Sequence, residues 1–197
     1  MTDLDVAMTY LLDDEGRKFT NDPHDRGGPT KFGITQKTYD KFFDVKSSID
    51  DIKNMTVAIA RQIYSAMYWA PLRCSDMPLP LAIMFFDSAV LYGVGTIGLL
   101  VQRALVLSGA PLALKLDGRI GDKTLGYINS IGGGEPAQQR VLTIAFHGLL
   151  IDHIDAVIVA HPTDEEFRHG WTNRADRLFK LLDDEFLNQL KQQTETL

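Results

Sequence analysis

Apolar residues return at spacings of three and four along most of the chain, the period of helices that bury one face. Leu4, Met8, Leu11 and Leu12 make the first such stripe. Thr35 stands where it can cap a second helix running to Phe43, and Ser48 with Asp51 reads as a capping box for a third. Thr56 can open a fourth, with Ile59, Ile63, Tyr64 and Met67 as its stripe and Pro71 as its stop. Residues 79–92 are apolar nearly all round, which predicts a central buried helix. Asp87 interrupts it, either as a hydrogen-bonded structural acid or as the wall of a substrate cleft. Buried acids are usually paired, which favours the structural role.

Gly93, Gly95 and Gly98 fit the dinucleotide fingerprint G-x-G-x-x-G, with Asp117 further on. That fingerprint needs a preceding strand and a βαβ context, whereas the flanking chain reads as helices. A tight turn between two closely packed helices accounts for the glycines better. A helix over 99–107 follows, ended by Ser108, Gly109 and Pro111. Residues 112–122 predict a loop or small hairpin turning at Asp117-Gly118, before a helix over 123–131. Gly132, Gly133 and Gly134 read as a flexible joint. Pro136 then opens a long helix to Ala160. Thr163 with Glu166 predicts a capping box for a short helix, Trp171 a packed corner, and Asn173 the cap of a last helix over 174–190.

Composition narrows the class. With 45% apolar and 23% charged residues, the 197-residue chain is an ordinary globular protein able to bury a large core. A net charge of −6 argues against nucleic acid as the partner. Cys74 is the only cysteine, so no disulfide framework exists and a small buried hydrophobe is the expected role. The N-terminus is acidic and lacks an apolar signal segment, so synthesis in the cytoplasm is expected. The longest uncharged run, 88–102, is broken by glycines and too short for a span, so no stable membrane insertion is expected. His147, Asp152, His153 and Asp155 lack metal-ligand spacing, and Asp22, His24 and Asp25 lack the pattern of a calcium loop. Neither a metal nor a cofactor is expected.

The chemistry concentrates between Asp14 and Thr35. Glu15 extends the first stripe, four residues after Leu11 and three after Leu12. Partial burial, the neighbouring Asp13 and Asp14, and the negative end of the helix all favour its protonated form, as a general acid near neutral pH requires. An exposed acidic helix end is the plainer reading. Asn21, Asp22, Pro23, Asp25, Gly27, Gly28 and Pro29 then form a loop dense in turn formers. Such a loop can bring Asp25 or Asp22 beside Glu15, and two carboxylates flanking one bond is what glycoside hydrolysis needs. Arg17, Lys18, Arg26 and Lys31 place a basic cluster in the same stretch, fit either for substrate carboxylates or as a solvated charge mixture.

Glu15-Gly16, Asn21-Asp22-Pro23, Asp25, Gly27-Gly28, Thr30 and Gly33-Ile34-Thr35 resemble the N-terminal signature of the glycoside hydrolase 108 family. Tyr64, Tyr68-Trp69, Pro71, 87–90, Gly93, 117–121 and 170–174 extend the resemblance along nearly the whole chain. Arg17 and Lys18 depart from it, standing where the family has a second glycine and an aromatic residue. The resemblance implies a lysozyme-like N-acetylmuramidase of the kind also described as secretion activators and phage endolysins. It implies a mainly α, lysozyme-like fold with a small β-hairpin near residues 19–34. A catalytic part over 1–90 and a helical, peptidoglycan-binding-like part over 91–197 are expected to pack as one compact unit.

The resemblance makes Glu15 the acid that protonates the leaving oxygen. Asp25, or failing that Asp22, is the second carboxylate inferred here, with Asp22, Thr30, Thr35 and Tyr39 as substrate contacts. The expected partner is peptidoglycan, reached at the periplasm or wall after release by a holin or a secretion system, by a monomeric protein. Two other readings remain open: a non-catalytic peptidoglycan-binding or secretion-accessory protein, and a lytic transglycosylase working with one glutamate.

Overall fold

The computed structural model describes residues 1–12, 18–21, 27–182, 188, 192, 194 and 195. Helix α1 (Asp3–Leu11) starts at a capping box in which Thr2 accepts from the Asp5 amide and Asp5 bonds back to the Thr2 amide. Strands β1 (Thr30–Lys31) and β2 (Ile34–Thr35) pair antiparallel, with Thr30 opposite Thr35. Helices α2 (Gln36–Phe43), α3 (Ile49–Lys53) and α4 (Val57–Tyr64) follow, capped by Thr35, Ser48 and Thr56 as the sequence predicts. The chain continues from α4 into a π-helical turn over Ser65–Trp69.

Helix α5 (Leu79–Tyr92) is the centre of the molecule, with nine of its fourteen residues buried. Helix α1 packs on one side of it and α6 (Val94–Leu107) on another. Helix α7 (Asp122–Tyr127), a π-helical turn over Ile128–Gly132, the long α8 (Pro136–Ala160) and α9 (Arg168–Arg177) complete the main elements. The fold is mainly α with one small antiparallel sheet, the lysozyme-like arrangement that the resemblance implies. One hydrophobic cluster runs from Leu4 through Phe85, Phe86 and Phe146 to Leu181.

Several local expectations are corrected. The hairpin turns at Phe32-Gly33, near the end of the predicted segment, and Thr20 joins it through a single bridge to Thr30. Helix α6 begins directly after Gly93, so Gly95 and Gly98 lie inside it. Their partner is a turn, not a helix: a β-carbon at position 98 would lie 2.0 Å from the Gly118 carbonyl oxygen. Residues 112–121 form a loop without strand pairing. Gly132 is no flexible joint, because it is buried and a β-carbon there would meet Leu81 at 2.3 Å.

The C-terminal caps differ too. Pro162 starts a 3-10 turn (Pro162–Phe167) with its fixed φ, which leaves Thr163 inside the turn with its hydroxyl on Asp164. That turn runs straight into α9, so Asn173 sits mid-helix and bonds His169 instead of capping anything. Trp171 is likewise helical, stacked on Phe167 and edge-on to Tyr92.

By length and composition α8 could cross a membrane, with a mean hydropathy of 1.6 in its most apolar stretch, of which 33% is buried. Arg140, Asp152 and Asp155 divide it, so a search for uncharged runs passes over it. Leu142, Phe146, Leu150, Ile154 and Ile158 place one of its faces in the core.

Candidate functional site

Glu15, Asp22 and Asp25, with Arg17 and Arg26 of the basic cluster, lie outside the described residues. What the structure describes is the frame on either side of them: helix α1 leading to Glu15, and the hairpin following Asp25.

The frame is held from behind by Tyr64. Phe32 and Gly33 occupy the two central positions of the hairpin turn with φ of 54° and 72°. Positive φ at both is the type I′ pattern that suits strand twist. A phenylalanine rarely adopts it, and here the Tyr64 hydroxyl donates to the Phe32 carbonyl at 2.6 Å. A β-carbon on residue 33 would sit 3.0 Å from that same hydroxyl. Burial pushes the Tyr64 phenol well above its ordinary range, so it stays a donor.

Thr30 and Thr35 face each other across the hairpin, and Tyr39 lies on α2, four residues after Thr35. The Thr30 hydroxyl donates to the Gly28 carbonyl at 2.9 Å, which leaves its lone pairs to accept. The Thr35 hydroxyl accepts from the Thr38 amide at 3.2 Å and pairs with the Thr38 hydroxyl, so it serves chiefly as a helix cap. Tyr39 is half-buried, with its ring 4.8 Å from that of Phe43. Lys31 is committed elsewhere: its ammonium donates to the Lys53 carbonyl at the end of α3. Lys18 is exposed.

A cavity of about 280 Å³ runs along α1 between Asp5, Met8, Leu12, Phe32 and Arg61. Leu12 brings it to within three residues of Glu15 in the chain. Asp5 and Arg61 are joined at 2.7 Å on its wall. Burial alone would raise the Asp5 carboxyl, but hydrogen bonds from Arg61 and Thr2 hold it down at about 2. The ordinary value is about 3.9, so the folded state binds this proton less tightly than the unfolded chain. The stabilisation is therefore complete above about pH 4 and is lost as pH falls from there towards 2. Melting temperatures taken from pH 6 to pH 2 should fall across that window, and Asp5→Asn should flatten the fall. An unchanged slope in the variant would assign the acid sensitivity to other carboxylates.

Behind this frame, Asp87 is 1% exposed and receives two hydrogen bonds from Arg174, Nε to Oδ2 at 2.8 Å and Nη2 to Oδ1 at 2.7 Å. It is the structural acid, not a cleft wall. Tyr10, on α1, lies beneath the Arg177 guanidinium at 5.4 Å, and its phenol is pushed up to about 12 by burial and by the charge of Asp87. Two arginines of α9 thus meet α5, through Asp87, and α1, through Tyr10. Cys74 is buried, with its thiol on the Ala82 carbonyl and pushed far up by burial, as expected for a packing residue.

Residues 8–93 match the model of the glycosyl hydrolase 108 family, a stretch that contains Glu15, Asp22, Asp25, the hairpin and α2 through α5. Over this segment the chain is similar to the glycosyl hydrolase 108 family, and the match supports a glycoside hydrolase. The solved structure of SagA from Brucella abortus is similar over 91% of this chain and 92% of that one, at 26% identity and a TM-score of 0.70. No curated protein matches the chain.

The glycosyl hydrolase 108 segment ends at Gly93, the joint between α5 and α6. Sequence reasoning found Asp87 but not its partner, because Arg174 lies 87 residues away and no local spacing links them. The Thr2–Asp5 box was missed in the sequence, where the stretch read only as acidic, although Thr and Asp stand at the spacing of that motif, with aspartate for its usual glutamate. Arg61, which ties this box to α4, carried no sequence signal.

Proposed function

We propose that the chain hydrolyses the β-1,4 bond between N-acetylmuramic acid and N-acetylglucosamine in peptidoglycan. The observation that carries this reading is the glycosyl hydrolase 108 match over 8–93, which includes Glu15, Asp22, Asp25, Thr30, Thr35 and Tyr39. Glu15 protonates the leaving oxygen. Asp25, or Asp22 in its place, orients water or stabilises the oxocarbenium-like transition state. Thr30 has acceptor capacity to spare for a water or a sugar hydroxyl, and Tyr39 on α2 offers a half-buried ring for a sugar face. Acting as a monomer at the wall after release by a holin or a secretion system, such an activity serves cell lysis or wall passage.

Mass analysis of fragments released from purified walls tests the reading. Reducing muramic ends are expected. Anhydro ends would replace hydrolysis by transglycosylation, and intact strands after prolonged digestion would leave a binding protein.

The second carboxylate has its own test. Asp22 stands between Asn21 and Pro23, where an Asx side chain commonly bonds its own backbone and builds the turn. Asp25 precedes Gly27-Gly28 and is freer to face a substrate. Asp25→Asn should therefore cut turnover with melting temperature preserved, and Asp22→Asn should lower both. The reverse ranking, in paired activity and melting measurements, would move the role to Asp22.

A further inference from the structure

Folding leaves three leucines outside within one short stretch. Leu107, at the end of α6, is 67% exposed, Leu112 is 90% exposed and Leu116 47%. A scattered exposed leucine is ordinary, whereas several together mark a binding surface. Residues 104–114 carry no charge, and the charges that bound them are both positive, Arg103 and Lys115. We propose that this stretch docks the protein on a bilayer containing anionic phospholipid.

A fixed backbone holds the leucines outward. Ala110, Leu114 and Gly118 are buried, while Leu112 and Leu116 between them are exposed, so the loop alternates inward and outward positions. The Ala110 amide donates to the Leu105 carbonyl at 2.9 Å, and the Leu114 amide to the Pro111 carbonyl at 2.9 Å. The Gly118 amide donates to Gln102 on α6 at 2.9 Å, and a β-carbon on residue 118 would lie 2.5 Å from the Gly95 carbonyl oxygen. Turning Leu112 and Leu116 inward would unfasten the loop from α6.

Charge identifies the partner. Arg103 precedes Leu107 by four residues on α6, so the two share a helix face. Asp117 is paired with Lys115, and Asp122 with Arg73. Arg103, Arg119 and Lys123 are exposed and have no ion pair among the described residues. Unanswered positive charge thus gathers beside the leucines in a chain whose net charge is −6. An anionic surface repels the molecule as a whole and attracts it here, which sets its orientation. On a bilayer, leucines enter the acyl boundary while arginine and lysine heads reach the phosphates. A protein partner fits less well, because interface cores favour aromatic residues and exclude lysine. Residues 103–119 contain no aromatic side chain.

The inference is independent of the hydrolytic reading, since vesicles contain no glycan, and the full chain is tested by co-sedimentation. Vesicles of equal parts phosphatidylglycerol and phosphatidylcholine should bind it, more weakly as salt rises. Vesicles of phosphatidylcholine alone should bind about tenfold less or weaker. Leu112→Gln with Leu116→Gln should weaken binding to the mixed vesicles by about tenfold or more, and so should Arg103→Gln with Arg119→Gln. Val45→Gln, at an exposed apolar residue beyond α2, should bind as the parent does. All five side chains are exposed, so melting temperature should not change. A polarity-sensitive dye on Leu112→Cys should shift to shorter wavelength when mixed vesicles are added; the other thiol, Cys74, is buried.

No binding to mixed vesicles overturns the proposal, as does equal binding to the neutral ones. Affinity untouched by either double variant, an equal loss with Val45→Gln, or an unshifted dye does the same. Self-association of the lipid-free chain, abolished by Leu112→Gln with Leu116→Gln, would give the surface to a second copy instead.

Discussion

Glu15→Gln is expected to lower strand cleavage by about a hundredfold or more, the usual scale for loss of a general acid. Glutamine keeps the size and hydrogen-bonding reach of the side chain but has no proton to give to the leaving oxygen. The glycosidic oxygen must then depart as a poor anionic leaving group. In sequence Glu15 follows Leu11 by four residues and Leu12 by three, the spacing from which a partly desolvated acid favouring its neutral form is expected. The neutral amide should therefore leave the melting temperature unchanged or slightly raised. Reducing ends released from purified walls, counted for parent and variant alongside melting curves, give the answer. Near-parental turnover would remove Glu15 from the mechanism.

Arg174→Met should destabilise the protein by about 3–5 kcal/mol, because it strands a buried carboxylate without its cation. For a chain of this size that corresponds to a fall of order 10 °C in melting temperature. Asp87 is 1% exposed, and both its oxygens are met by the one guanidinium. Burial works against the charge on Arg174, yet Asp87 holds the guanidinium above its ordinary range. A double variant, Asp87→Leu with Arg174→Met, removes both charges and should recover most of the loss, since packed apolar residues often replace a buried pair without penalty. If Arg174→Met melts within about 2 °C of the parent, the pair does not hold α9 to α5.

The helical framework was legible because its signals are local. Thr35, Ser48 and Thr56 cap the helices that follow them, and the apolar run over 79–92 is the buried centre. Local signals failed where a stronger local or distant constraint prevailed. The fixed φ of Pro162 displaced the cap expected at Thr163, and an uninterrupted passage from the 3-10 turn into α9 absorbed Asn173. Glycines were the least legible residues. Gly98 and Gly132 answer to Gly118 and Leu81, contacts that only the tertiary structure reveals. At the candidate site, sequence placed Thr30, Thr35 and Tyr39 in one stretch, and the hairpin register sets Thr30 opposite Thr35. It gave no hint that Tyr64 supports the turn beneath them, because a buried phenol aimed at a carbonyl 32 residues away leaves no spacing pattern.

The pairing of Asp87 with Arg174 also governs how this chain can be cut or recombined. A fragment ending at Gly93 would keep every residue of the glycosyl hydrolase 108 match and still inherit a buried carboxylate with nothing to neutralise it. It would also strip α6 and α9 from the faces of α5 that they cover. The family boundary in sequence is therefore not a place where the polypeptide can be divided. An exchange of the C-terminal half that keeps Asp87 needs an arginine at the same point in space, so residues on either side of Gly93 must be inherited or replaced together.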